Sequence, residues 1–123
     1  MKKRDLDNQL LEMMPNGVVV TGPEGEIEWV NPAYTKITGY PFAELVGRKM
    51  SILKSGKTAP EVYRNLWETI TGGNPWRGSF TNRRKDGSLF RVSVRIHPLE
   101  GEQGKIEGYI GIGEDVTEAS RMK

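Results

Sequence analysis

The dipeptide Asp86-Gly87 constrains this chain more than any other feature in it. Asp-Gly is the strongest short-range hairpin signal, because a tight turn of the hand that strands prefer needs positive φ. It lies between two strand-like runs. In residues 89–97, Phe90, Val92, Val94 and Ile96 share one face, and Arg91, Ser93 and Arg95 share the other. This is clean period-2 alternation. Residues 76–84 supply the partner strand, with Trp76, Phe80 and Asn82 on one face. An isolated hairpin is marginal in water, so this one needs more strands and a cover for its apolar face.

The rest of the chain supplies both. "GVVVT" (17–21) and "EIEWV" (26–30), joined by "GPEG", read as a second hairpin with one wet face. Residues 105–114 read as a fifth strand, with Ile106, Ile110 and Ile112 turned the same way. Between the hairpins lie helices. Asn31-Pro32 opens one that ends at Gly39, and a second short one runs from near Pro41 to near Gly47. Thr58-Ala59-Pro60-Glu61 matches a capping box, and Gly72-Gly73 stops the helix it starts. In that helix Val62, Leu66 and Ile70 form one stripe, flanked by Tyr63 and Trp67. Residues 3–14 read as an N-terminal helix whose Leu6, Leu10 and Met13 make a seam for its own domain or for a second chain. Asp115–Glu118 opens a last helix. The expected class is α+β, with five antiparallel strands covered on one face by short helices. The expected organisation is 1–14 linker helix, 15–117 domain, and 118–123 start of a C-terminal linker helix.

Composition narrows the function. The 123 residues fit one domain that can build a core without staples. There is no cysteine, hence no disulfide, thiolate nucleophile or thiolate metal site. Net charge is +2 from 18 basic and 16 acidic residues, too balanced to point to nucleic acid. Arg77, Arg83, Arg84, Lys85, Arg91 and Arg95 gather on the hairpin, but no aromatics interleave for base stacking, so a solvated face is the expectation. No apolar run approaches the ~20 residues of a membrane helix, so no direct membrane insertion is expected. No nucleophile–base pair is evident, and the glycines of "GYIGIG" precede no helix as a phosphate loop must. A binding module without enzymatic activity is expected.

The order of elements, with "GVVVTGPEGEIEWVNPAYTKITGY", "ELVGR", "WRGSFTNRRKDGSLF" and "GYIGIGEDVTE", resembles the PAS sensor domain from about Leu10 to Thr117. The resemblance implies a sheet in spatial order 2-1-5-4-3. It also implies a cytoplasmic sensory role within a larger signalling protein of two-component type. The implied effector is a covalently linked histidine kinase or cyclic-dinucleotide enzyme, with homodimerisation through the terminal helices. The stretch from Leu53 to Gly87 is similar to the flavin-binding redox PAS subgroup of nitrogen-fixation and methane-oxidation sensors, which implies FAD. The site would lie between the 58–71 helix and the strands from Trp76 onward, with Leu66, Ile70, Trp76, Phe80 and Asn82 as its walls and Asn31 as a further candidate. Each has a bland alternative: Trp76 as core, Asn31 as a helix cap, Asn82 bonded to water or backbone. Blue-light sensing of the thiol-adduct type is excluded, because Met50 and Gly113 stand where that type carries cysteine and glutamine. Haem is disfavoured, since the main helix has no histidine and the only one, His97, precedes Pro98. A cofactor-free module for dimerisation and relay, and a small-metabolite receptor, are the alternatives.

Overall fold

The hairpin turns at Asp86-Gly87, but only Gly87 takes positive φ, and the turn closes from the Gly87 amide to the Arg84 carbonyl at 3.0 Å. The Asp86 carboxylate accepts from the Ser88 amide at 2.8 Å and the Ser88 hydroxyl at 2.6 Å, and Gly87 adopts φ +90°. The computed structural model, which describes residues 9–121, builds its sheet outward from this hairpin. The strands are β1 (Gly17–Thr21), β2 (Ile27–Val30), β3 (Trp76–Arg83), β4 (Leu89–Glu100) and β5 (Ile106–Asp115). They pair antiparallel in the order β2-β1-β5-β4-β3. The helices are α1 (9–13), α2 (Pro32–Thr38), α3 (Phe42–Leu45), α4 (Pro60–Thr71) and α5 (Thr117–Arg121). A 3₁₀ turn spans Met50–Leu53.

Strand β4 runs three residues past its expected end and carries Pro98 inside it, paired with Tyr109. Proline removes a ladder donor and is confined to open edges. That condition holds here. β3 begins at Trp76 opposite Ile96, so residues 97–100 are paired on the β5 side alone. The phase of β5 also differs from a simple apolar reading. Tyr109, Gly111 and Gly113 face the helices, while Ile110 and Ile112 alternate onto the outer face. That outer face is not uniformly wet, because Val18 on the same side of β1 is fully buried.

The capping box does not form. Ala59 occupies the cap position of α4 with no side-chain bond. The Thr58 hydroxyl instead accepts from the Thr81 amide at 2.9 Å, and Ser55 and Thr58 both donate to the Thr81 carbonyl. The edge of β3 outbids the helix end, which pins the entry to α4 against the sheet. The exit is as expected, with Gly72 capping and Gly73 at φ +87°. In α1, Leu10 and Met13 are 56% and 80% exposed, so this part of the seam is not packed on its own domain. Leu6 and the start of the expected 3–14 helix lie outside the described residues, as do residues 122–123 of the C-terminal segment.

Candidate functional site

The apolar stripe of α4 faces the sheet without filling the space between them. A cavity of about 270 Å³ remains, lined by α4, by α2 and by all five strands but β2. Small-molecule sites span about 300–1,000 Å³, so this one lies at the lower edge. Leu66, Ile70 and Phe80 form its apolar walls with Phe90, Val92 and Tyr109. Its floor is bare backbone. Gly17 of β1 pairs with Gly113 of β5, and Gly111 lies two residues along. A β-carbon on Gly113 would sit 3.0 Å from Val92 Cγ2, and one on Gly111 3.1 Å from Val19 Cγ1. Glycine is therefore what keeps a flat surface there.

Asn82 projects into this apolar space from β3. Its amide has no hydrogen-bond partner among the described residues, although Asn carries two donors and an acceptor. Asn82 is half-buried and its amide atoms stay accessible from the cavity, so they can bond a ligand or water there. The remaining polar groups are phenols and hydroxyls. The Tyr34 phenol contacts Met50 Sδ at 3.8 Å, and burial pushes its pKa above the ordinary tyrosine value. Burial raises Tyr109 in the same direction. Both stay neutral at physiological pH.

The other two expected site residues are elsewhere. Trp76 lies flat over Gly78, stacks on Phe80 at 5.3 Å, and donates its indole N–H to Asn65 Oδ1 at 2.8 Å. It is not part of the cavity lining and supports the wall from behind. Asn31 is fully buried as a helix cap and strand staple, with both ends of its amide engaged by protein groups. Sequence reasoning missed Tyr34, Tyr109, Gly111 and Gly113 as lining residues. Two glycines at i and i+2 on a strand were the available signal, since they mark a face that something approaches closely.

Arg84 ties this wall to the C-terminal helix. Its guanidinium lies over the Phe90 ring at 4.9 Å, donates to the Ile37 carbonyl at 3.0 Å, and pairs with Asp115 at 2.8 Å. Asp115 also accepts from the Thr117 amide and hydroxyl, and Thr117 Oγ1 accepts from the Arg91 amide. Partial burial would raise the Asp115 pKa, but the Thr117 hydrogen bonds and the Arg84 charge outweigh it and hold it below the ordinary carboxylate value. A depressed folded-state pKa gives stability that is present above the unfolded value of about 4 and is lost as pH falls through the folded one. Acid unfolding followed by circular dichroism should therefore show a loss of stability below about pH 4 that Asp115→Asn flattens. An unchanged acid limb in that variant would assign the loss to other carboxylates.

Comparison with known proteins places this architecture. A family model described as PAS domain matches residues 15–118. The chain is 32% identical over 108 residues to a nitrogen fixation regulatory protein of Klebsiella oxytoca, covering 88% of this chain and 22% of that protein. It is 35% identical over 103 residues to the blue-light-activated histidine kinase 1 of Erythrobacter litoralis, covering 82% of this chain and 29% of that one. Among solved structures, an RNA-binding light-oxygen-voltage receptor superposes with a TM-score of 0.89 at 25% identity, over 96% of this chain and 34% of that chain. The chain thus spans about a third or less of each of these proteins.

Proposed function

The chain belongs to the PAS domain family, and on that premise we propose that it is a sensory input module that reads redox state through a flavin, FAD, held between α4 and the sheet. Its relatives are signalling proteins, and it is a sensory domain of the same kind. The observation that carries the ligand reading is the Asn82 amide, unpartnered among the described residues and standing in an apolar cavity.

The residues fit the group. A planar ring system needs a flat floor, apolar walls and hydrogen bonds at its polar edge. Gly17, Gly111 and Gly113 give the first, Leu66, Ile70 and Phe80 the second, and Asn82 the third. When bound, a flavin supplies reversible uptake of electrons and protons. The protein's part is to orient the ring, exclude water and offer Asn82 as donor or acceptor as needed. No group in the cavity is placed as a nucleophile with a base, and the proposed activity is binding and relay without catalysis.

Signalling needs contacts that differ between two ligand states. Asn82 sits two residues before Arg84, and Gly113 two residues before Asp115. The Arg84–Asp115 pair joins those two strands at the foot of α5. Movement at the ring edge would reach α5 by this route, and from there a linked effector in the cytoplasm. The exposed Leu10 and Met13 support pairing of two copies through their terminal helices. Among the described residues no helix is long and apolar enough to cross a membrane.

The visible spectrum of freshly purified protein is the test. Flavin bands that bleach on reduction are expected, and a colourless protein that stays so with added FAD would refute the reading. Asn82→Leu should weaken flavin retention by about 1–3 kcal/mol, roughly five- to 150-fold. A metabolite receptor using the same cavity is the second reading, favoured by the cavity's small volume.

A further inference from the structure

One reactive atom of the cavity wall has no part in holding a ring, the thioether sulfur of Met50. The chain has no cysteine, so its sulfur chemistry rests on five methionines. Met50 is the one that lines the cavity among the described residues. We propose that Met50 is a modification site, at which hydrogen peroxide entering the cavity oxidises the thioether to the sulfoxide while the Tyr34 hydroxyl donates a hydrogen bond to the reacting oxygens. The inference goes beyond the flavin reading and does not depend on it.

Met50 opens the Met50–Leu53 turn and is half-buried against the apolar cluster that contains Tyr34 and Leu53. The Tyr34 hydroxyl donates to its Sδ at 3.8 Å and meets no nitrogen or oxygen acceptor among the described residues. The backbone of Tyr34 is fixed on both sides. Its N–H donates to Asn31 Oδ1 at 3.0 Å, and its carbonyl accepts from the Thr38 hydroxyl at 2.9 Å. The cavity of about 270 Å³ that Met50 lines is many times the ~30 Å³ share of one water, so a molecule as small as peroxide fits.

A thioether attacks through a sulfur lone pair and needs no base. The S–O bond forms to the near oxygen of the peroxide as the O–O bond breaks. The far oxygen leaves with the bonding pair and takes the near oxygen's proton, so the products are sulfoxide and one water. Sulfur gives up two electrons and the peroxide takes them. Negative charge builds on the departing oxygen. Bulk water would stabilise it at an exposed methionine, whereas in an apolar wall a fixed donor must do so. Tyr34 is that donor, and burial, which raises its pKa, keeps the proton on it. Afterwards the sulfoxide oxygen can accept the Tyr34 bond, and an apolar side chain of the wall has become a polar one. Methionine sulfoxide reductases reverse the step, so the change can be reset.

Hydrogen peroxide treatment of protein dialysed free of small ligands, followed by peptide mass spectrometry, tests this. Met13 is 80% exposed and serves as the internal clock. Met50 is expected to gain one oxygen at a rate within about tenfold of Met13, despite its burial. Tyr34→Phe keeps the ring and its packing, and should slow Met50 about tenfold, the scale of one hydrogen bond in the transition state, while leaving Met13 unchanged. A Met50 still unoxidised when Met13 is fully converted would overturn the site, and this comparison in the unmodified protein needs no variant to fold. A folded Tyr34→Phe protein, checked by circular dichroism, whose Met50 reacts as fast as the parent's would also overturn the proposal, because access alone would then set the rate.

Discussion

An Asn31→Ala variant is expected to lose about 3–4 kcal/mol of stability, the largest single-residue effect outside the apolar core. Asn31 is fully buried, and its two amide ends serve different parts of the chain. Oδ1 accepts from the Val18 amide at 2.8 Å and the Tyr34 amide at 3.0 Å. Nδ2 donates to the carbonyls of Leu11 and Asn16, each at 3.0 Å. One side chain thus fastens β1, the start of α2 and the segment leading from α1. Alanine would leave Val18 N–H and two carbonyls without this partner, while Tyr34 N–H keeps a bond to the Asn31 carbonyl at 3.1 Å. Loss of a cap alone costs about 1 kcal/mol, and each further buried group adds about 1 kcal/mol or more. Asn31→Asp separates the two roles. Aspartate caps as well as asparagine, but its carboxylate would face two carbonyls. Urea unfolding should find Asn31→Asp destabilised by about 2 kcal/mol or more. A neutral result would reduce Asn31 to a cap.

The second large effect is expected at the cavity floor. Gly113→Leu should abolish flavin retention while leaving the protein folded. The leucine would project from the floor into the space below α4, where Gly113 now leaves the backbone bare. Its β-carbon meets Val92 Cγ2 at 3.0 Å and Val94 Cγ2 at 3.8 Å, so Val92 must give by a few tenths of an ångström. Open volume beside it makes that feasible, and filling a cavity typically offsets such strain. Thermal melting within about 4 °C of the parent, roughly 1 kcal/mol for a domain of this size, is the expected control. The readout is the flavin-to-protein absorbance ratio. A variant that still carries flavin would place the ring away from the glycine floor.

Much of this fold is legible in the sequence because its signals are local. Asp86-Gly87 sets one hairpin, Asn31-Pro32 starts α2, and Gly72-Gly73 ends α4. The sheet order 2-1-5-4-3 is not of this kind. It came from the family resemblance, and the pairing of β1 with β5 bears it out. What escaped depends on competition between distant partners. Thr58 has the right spacing for a capping box, but the free edge of β3 at Thr81 takes its hydroxyl, and no local rule weighs the Thr81 amide against a helix-end amide as the donor to it. Trp76 escaped similarly. Alternation gives its side correctly, yet Asn65 on α4 draws the indole sideways over Gly78 and out of the cavity. Asn82, Phe80, Leu66 and Ile70 were legible because strand and helix periodicity alone point them inward.

Strand β5 has a mechanical meaning. It forms part of the cavity floor at Gly111 and Gly113 and, after Asp115, gives way to α5. An extended strand is nearly inextensible, since each residue already spans close to its maximum of about 3.3–3.6 Å. It can tilt or twist but cannot lengthen. On the proposed reading, α5 is therefore coupled to the floor through a rod of fixed length, and a shift there would reach it as a change of direction, with little change of reach. Because successive residues of a helix step around its axis at 3.6 per turn, the same small rotation would present a different face to a partner at each position along it.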